Sequence, residues 1–189
     1  APLRRHETPA LSAANKSLVG KWLESGDYAD VSQIPLVFPQ GSFRLGTVVR
    51  PIQEGKESGY DIDLVCCLAT NSSEASWLKQ VIGERLYEHG KYRSMLQKEG
   101  RRCWTLNYAE EDGVAFHLDV LPCKPKPLVS HDVEHRYGAL ASALTDRKKH
   151  LKYIWGSTNP AGYAEWFADR QRQSFDRVAG IQKLQLRRQ

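Results

Sequence analysis

Two aspartates one residue apart, Asp61 and Asp63, lie in the run Tyr60-Asp-Ile-Asp-Leu-Val-Cys-Cys-Leu68. Apolar and acidic residues alternate here, so the run predicts a strand with Ile62 and Leu64 on one face and both aspartates on the other. Residues two apart on a strand stand about 7 Å apart. Carboxylates side by side repel each other, and a cation between them relieves the penalty. Hard divalent cations such as Mg²⁺ prefer carboxylate oxygens and keep positions open for phosphate. A later run, Val114 to Leu121, predicts another strand, in which His117 and Asp119 oppose Phe116, Leu118 and Val120. Asp119 is thus an acid inside an apolar strand. It can complete a three-carboxylate site, or serve as a buried, hydrogen-bonded structural residue.

Upstream of the first strand stands Gly41-Ser42-x-x-x-Gly46-Thr47. Glycines let a backbone approach a ligand closely. A turn opening a short helix aims unpaired N–H groups at a phosphate. The Ser42 hydroxyl adds a donor, and the Arg44 guanidinium can reach a phosphate as a charged fork. Taken alone these glycines read as turn residues. Followed by two strand aspartates and a third on another strand, they read as a phosphate loop beside a metal site.

The elements that must position these groups follow from periodicity. Thr8-Pro9 predicts a helix start, with Leu11, Ala14, Leu18 and Trp22 on one stripe and Gly26 as the stop. Val31 to Pro39 is punctuated by prolines, and Gln53 to Gly59 is a polar loop. Asn71-Ser-Ser-Glu74 predicts a capping box with Asn71 in the cap position. The helix it opens carries Trp77, Leu78, Val81, Ile82 and Leu86. Arg102, Trp104, Leu106 and Tyr108 alternate with Cys103, Thr105 and Asn107. This strand and Val114 to Leu121 predict a hairpin through Glu110-Glu-Asp-Gly113. Pro122 to Pro127 reads as a Lys/Pro linker that ends the sheet, and Val133 to Leu144 as helix or irregular chain. Asn159-Pro160 predicts a further helix through Tyr163, Trp166 and Phe167, with Gly180 weighing against its continuation past Ser174.

The chain has 189 residues, 41% hydrophobic and 26% charged, which are globular values. Mean hydropathy is −0.54, and no apolar run reaches the length of a membrane span. The N-terminal Ala-Pro-Leu-Arg-Arg-His lacks an apolar segment, so no secretory signal is read there, and the expected location is cytoplasmic. The net charge of +5 is uneven: residues 1–123 hold 14 basic and 16 acidic residues, residues 124–189 hold 13 and 6. A basic half suggests a polyanionic partner: nucleotide phosphates, nucleic acid or an acidic protein. Cys66, Cys67, Cys103 and Cys123 form no C-x-x-C pair and read as reduced thiols, with adjacent Cys66 and Cys67 on opposite strand faces. Their spacing does not suit zinc. His117, Tyr60 and Trp104 read as ordinary strand and core residues, and Arg101-Arg102 and Arg147-Lys-Lys as solvated cations.

Gln40-Gly-Ser-Phe-Arg-Leu-Gly-Thr-Val-Val-Arg-Pro51, then Tyr60-Asp-Ile-Asp-Leu-Val65, then Asp119, resemble the signature of polymerase β-type nucleotidyltransferases. The closer resemblance is to the bacterial cGAS/DncV-like nucleotidyltransferases (CD-NTases) of antiphage signalling, including the stretch Asn159 to Phe167. The resemblance spans roughly residues 35 to 167. It implies an α+β fold, a polymerase β-like core of mixed sheet flanked by helices. It further implies a catalytic core over 1–127 and a basic helical segment over 128–189, with the C-terminal helical lobe short or missing. Asp61, Asp63 and Asp119 would be the catalytic and metal-holding residues, for two Mg²⁺ with Mn²⁺ as a substitute. Gln40, Gly41, Ser42, Arg44, Gly46 and Thr47 would bind nucleotide. The implied activity joins NTPs, ATP among them, into a cyclic di- or trinucleotide with loss of pyrophosphate. The product would activate a downstream effector, and a regulatory protein is a further partner. Two rivals are a nucleotidyltransferase acting on RNA or protein, and a nucleotide- or RNA-binding module without catalysis.

Overall fold

The computed structural model describes residues 17–31, 33–48, 52–53, 56–57, 59–111, 114–125 and 142–186. Helix α1 covers 17–24, and its start lies outside the described residues. The amide of Gly26 closes on the Leu23 carbonyl just beyond it, as the glycine stop predicts. Val19 and Leu23 are buried, whereas Leu18, expected on the apolar stripe, faces solvent. Strand β1 is Leu36–Gln40, and α2 is Gly41–Leu45. The polar loop holds a minimal hairpin, β2 Ile52–Gln53 and β3 Lys56–Glu57. Strand β4 is Tyr60–Cys67, α3 is Ala75–Glu88 and α4 is Gly90–Met95. Then come β5 Trp104–Glu111, β6 Val114–Lys124, β7 Ser142–Arg147, a 3₁₀ turn Lys149–Leu151, β8 Tyr153–Thr158 and α5 Pro160–Leu186.

One mixed sheet has the order β1-β4-β6-β7-β8, with β5 also on β6. Among the described residues only β4 and β6 run parallel, and the other pairings are antiparallel. β4 occupies one edge of β6 from Phe116 to Cys123. On the other edge β5 pairs first, up to Val120, and β7 takes over at Cys123 and Lys124. β1 is an edge strand, which is why Pro39 fits within it: its missing N–H costs no ladder bond on the open side.

The period-2 pattern divides the sheet into unlike faces. Ile62, Leu64 and Cys66 of β4, Leu106 and Tyr108 of β5 and Phe116, Leu118 and Val120 of β6 form one core. Val19 and Leu23 of α1, Leu78, Ile82 and Leu86 of α3 and Tyr92 of α4 cover it. Arg85 ties α1 to α3, its guanidinium over the Trp22 ring and donating to the Trp22 carbonyl. The opposite face carries Asp61 and Asp63 and a small cluster of Val65, Cys67 and Cys123 against Phe38.

Four local expectations are corrected. The helix after Asn71 starts one turn late: Glu74 occupies the N-cap without a side-chain bond, because Ser72 and Thr70 hydroxyls already engage the preceding amides. The sheet does not end at a linker: Pro122 and Lys124 belong to β6, and β7 and β8 extend the sheet beyond residue 127. Residues 142–144, expected as helix or irregular chain, are strand, while 133–141 lie outside the described residues. The cysteines are not all reduced, since Cys67 and Cys123 form a disulfide. They stand in register on neighbouring parallel strands, a pairing that sequence spacing cannot show. Asn159 does start α5, its side chain accepting from the Gly162 amide, and the helix continues through Gly180 to Leu186. Among the described residues no helix is long and apolar enough to cross a membrane.

Candidate active site

The three aspartates come onto one face of the sheet because β4 and β6 are neighbours in a fixed register. Asp63 pairs with Asp119, and Asp61 pairs with His117. In-register Cα atoms on adjacent strands lie about 4.8 Å apart. Asp63 and Asp119 are half-buried, and Asp61 and His117 are exposed. Burial pushes the Asp63 carboxyl up first, and the charges of Asp119 and Asp61 add to it. The site is therefore a concentration of negative charge, with burial, Asp119 and Asp61 all acting against the charged form of Asp63.

Asp119 is held from the neighbouring strand. Thr105, its register partner on β5, donates its hydroxyl to Oδ1 at 2.6 Å. The Cys103 thiol donates to Oδ2 at 3.2 Å. Burial and the adjacent Asp119 charge push that thiol up to about 11, so it stays protonated and remains a donor. Lys79 of α3 is buried, and its ammonium donates to the carbonyls of Gly100 and Cys103, fixing the segment that delivers the thiol. Burial lowers Lys79 to about 8. Sequence reading missed Cys103, Thr105 and Lys79 as site residues. The alternation of β5 did place Cys103 and Thr105 on one face, but the register that sets them against Asp119 has no local signature.

The glycine loop reaches the carboxylates directly. Gln40, the last residue of β1, pairs with Asp63. The chain then turns into α2 at Gly41, which has φ of +62°, in the left-handed region that favours glycine. A Cβ on Gly41 would stand 2.5 Å from Asp63 Oδ2, so this position needs glycine for space as well. Gly46, at φ of +70°, ends α2, and the Thr47 amide closes on the Ser42 carbonyl at 2.9 Å. A Cβ on Gly46 would meet nothing, so its requirement is conformational alone. Phe43 packs against the main core and anchors the loop. Ser42, Arg44, Gly46 and Thr47 are exposed, and Gln40 is half-buried.

Among the described residues, no three His, Cys, Asp or Glu side chains converge closely enough to form a ready metal cage. The donor chemistry nonetheless fits a hard divalent cation. All-oxygen carboxylate donors share one face, and the mutual repulsion at Asp63 is what such an ion would relieve.

Residues 35–122 match the family described as "Cyclic GMP-AMP synthase DncV-like, nucleotidyltransferase domain". The c-di-GMP synthase of Roseivirga ehrenbergii is 31% identical over 155 residues, covering 80% of this chain and 36% of that protein. The fold is similar to that of the CD-NTase CdnG of Bradyrhizobium diazoefficiens, solved in complex with GTP. That likeness has a TM-score of 0.62 at 19% identity, over 86% of this chain and 41% of the other. The chain thus spans well under half the length of either protein. A glycine loop abutting the first acidic strand and a parallel partner strand carrying the third aspartate lie within residues 35–122, the stretch that matches the DncV-like nucleotidyltransferase domain.

Proposed function

We propose that this chain carries the catalytic face of a nucleotidyltransferase that joins NTPs into a cyclic di- or trinucleotide. The observation that carries the reading is the placement of Gly41 against Asp63, with Asp63 in register with Asp119. It supports reading the glycine loop and the acidic pair as parts of one nucleotide site. A ribose hydroxyl attacks the α-phosphorus of a bound NTP, the new P–O bond forms, the bond to the β-phosphate breaks, and pyrophosphate leaves. Asp61, Asp63 and Asp119 would hold two Mg²⁺, with Mn²⁺ as substitute. When bound, these ions would lower the pKa of the attacking hydroxyl and offset charge on the triphosphate. Gly41 and Ser42 cradle the donor's phosphates, Arg44 adds a charged fork, and Gln40, Gly46 and Thr47 shape the loop. Thr105 and Cys103 hold Asp119 so that its remaining lone pairs face the ligand.

A cyclic product is supported by the 31% identity to a c-di-GMP synthase. ATP or GTP as substrate, a downstream effector in antiphage defence and a cytoplasmic setting belong to the same proposal. The test is incubation with each labelled NTP and Mg²⁺ or Mn²⁺, with mass analysis of the products. The expected result is a cyclic oligonucleotide and pyrophosphate, absent with Asp63→Ala. Nucleotide transfer only to added RNA or protein would overturn the cyclic reading.

A further inference from the structure

One covalent bond crosses the ladder that carries the aspartates. Cys67 ends β4, and its disulfide partner Cys123 faces it in register on β6. Asp63 faces Asp119 in the same ladder. Residues two apart share a strand face, so Asp63, Val65 and Cys67 line one face of β4, and Asp119, Leu121 and Cys123 the same face of β6. The disulfide therefore stands on the acidic face, about 13 Å along the strands from the carboxylates. Cys66 points the other way, into the main core, and Cys66 and Cys103 are free thiols.

The bond ties the two strands where β6 changes partner. Pairing with β5 reaches Val120, and pairing with β7 begins at Cys123. Just beyond Cys67, the Leu68 amide donates to the Cys123 carbonyl at 3.0 Å. At the acidic end of the same ladder, the charges of Asp119 and Asp61 act against that of Asp63. This repulsion pushes β4 and β6 apart, while the disulfide holds them together. A cation between the carboxylates would hold them as well. Disulfide and cation thus act on one strand separation, so each favours the other.

We propose that Cys67 and Cys123 form a redox-sensitive latch on the carboxylate site: the disulfide holds β4 and β6 at the spacing that suits a divalent cation, and reduction to two thiols weakens cation binding. This rests on the reading of the aspartates as a cation site, and it adds what regulates that site. Two thiols need more room than a bonded sulfur pair, so reduction releases the strands from each other at this end. The reductant is a dithiol. Its thiolate attacks the sulfur of Cys67, which is 7% exposed against 1% for Cys123. The Cys67–Cys123 bond breaks, Cys123 leaves as a thiolate and takes up a proton, and the second thiol of the reductant displaces Cys67. Two electrons pass from the dithiol, which becomes a disulfide. A disulfide oxidant such as oxidised glutathione reverses the exchange. Phe38 of the edge strand β1 packs over the pair, so access requires β1 to open locally.

The test reads cation binding, so it does not depend on turnover. Mn²⁺ is titrated by calorimetry into the chain oxidised with glutathione, and into the chain reduced under native conditions with dithiothreitol, which is then removed under argon. Thiol counts in denaturant verify the two states, since Cys66 and Cys103 are thiols in both. Mn²⁺ binding should weaken at least about fivefold on reduction, the low end of ordinary coupling between sites, and recover on re-oxidation. Cys67→Ser/Cys123→Ser should bind as weakly as the reduced chain and ignore reductant. Melting curves should stay cooperative while shifting down by about 4–16 °C in the reduced chain. Should the serine variant not fold, the reduced unaltered chain carries the comparison. Equal Mn²⁺ affinity before and after reduction overturns the latch and leaves the cation site standing. A bond that resists dithiothreitol until the chain unfolds, or one that oxidised glutathione cannot form, also overturns it. Absence of Mn²⁺ binding in both states removes the cation reading and the latch with it.

Discussion

Asp63→Asn should stabilise the metal-free protein and destabilise it relative to the unaltered chain once Mg²⁺ is added. The substitution keeps shape and removes one charge from the in-register pair with Asp119. Like charges directly across strands cost about 0.2–1 kcal/mol. For a chain of this length each kcal/mol moves the melting temperature by about 2–4 °C. In EDTA at pH 7.5 the variant should therefore melt higher, by up to about 4 °C. The sign follows from the carboxyl, which burial and its acidic neighbours raise above its ordinary 3.8 in the fold. Such a group penalises folding at pH above its folded-state value, and the penalty fades as pH falls below 3.8. The two melting temperatures should thus converge near pH 3.5. Mg²⁺ at 100 times its dissociation constant would stabilise the unaltered chain by about 2.7 kcal/mol, reversing the order. The assay is a set of thermal melts by circular dichroism, with EDTA or Mg²⁺, across pH. Lower melting of Asp63→Asn in EDTA, or equal stabilisation of both proteins by Mg²⁺, would refute the reading of Asp63 as an uncompensated metal ligand.

Gly41→Ala should cost both stability and product formation, because its Cβ enters the Asp63 carboxylate on top of the positive-φ strain of about 1–2 kcal/mol. Gly46→Ala carries only the φ strain, so its melting temperature should fall less than that of Gly41→Ala. Ser42→Ala should lower kcat/KM for the donor nucleotide by roughly 10- to 150-fold, the loss of about 1.5–3 kcal/mol from one bond to a charged group. Equal loss from Ser42→Ala and Asp63→Ala would mean that Ser42 does more than hold phosphate. Thr105→Val should reduce kcat by a comparable factor by releasing Asp119, and Thr105→Ser should restore it. Thiol titration of the denatured, unreduced chain should count two thiols, Cys66 and Cys103, and four after reduction. Four without reductant would exclude the Cys67–Cys123 bond.

Legibility in the sequence followed the range of the interaction. The faces of β4 and β6 were readable because a strand alternates with period two, and each apolar residue next to an aspartate reports its own burial. The α5 start was readable because Asn159 and Pro160 act within one turn. Leu36–Gln40 was not readable as a strand, since Pro39 is a breaker unless the strand is known to be an edge. The continuation of the sheet into β7 and β8 was hidden for a similar reason. Pro122 sits in β6 where that strand changes partner, so a proline that reads as punctuation marks the handover from β5 to β7. The capping box failed because several short polar side chains compete for the same amides, and spacing does not rank them. The disulfide, the Thr105 and Cys103 bonds to Asp119 and the Arg101–Asp146 pair depend on register between distant segments, which no window of sequence contains.

The same register explains why a charged site can exist on this sheet. A one-residue slip between β4 and β6 would separate Asp63 from Asp119, but shifting β4 by one would also turn Ile62, Leu64 and Cys66 out of the core. Fully burying each such side chain is worth about 1.5–3 kcal/mol, well above the 0.2–1 kcal/mol of a like-charge pair. The apolar face therefore fixes the geometry that the acidic face alone would reject. β5 adds to this by locking Leu106 opposite Leu118 on one face while presenting Thr105 to Asp119 on the other. Helix α3 works through the sheet edge in the same way: Lys79 binds the carbonyl of Cys103, and the Cys103 thiol binds Asp119. Core packing and site geometry are thus one constraint in this chain. A substitution such as Leu118→Ala acts on Asp119 through β6, which carries both residues, and on Asp61 and Asp63 through its register partner Ile62 of β4.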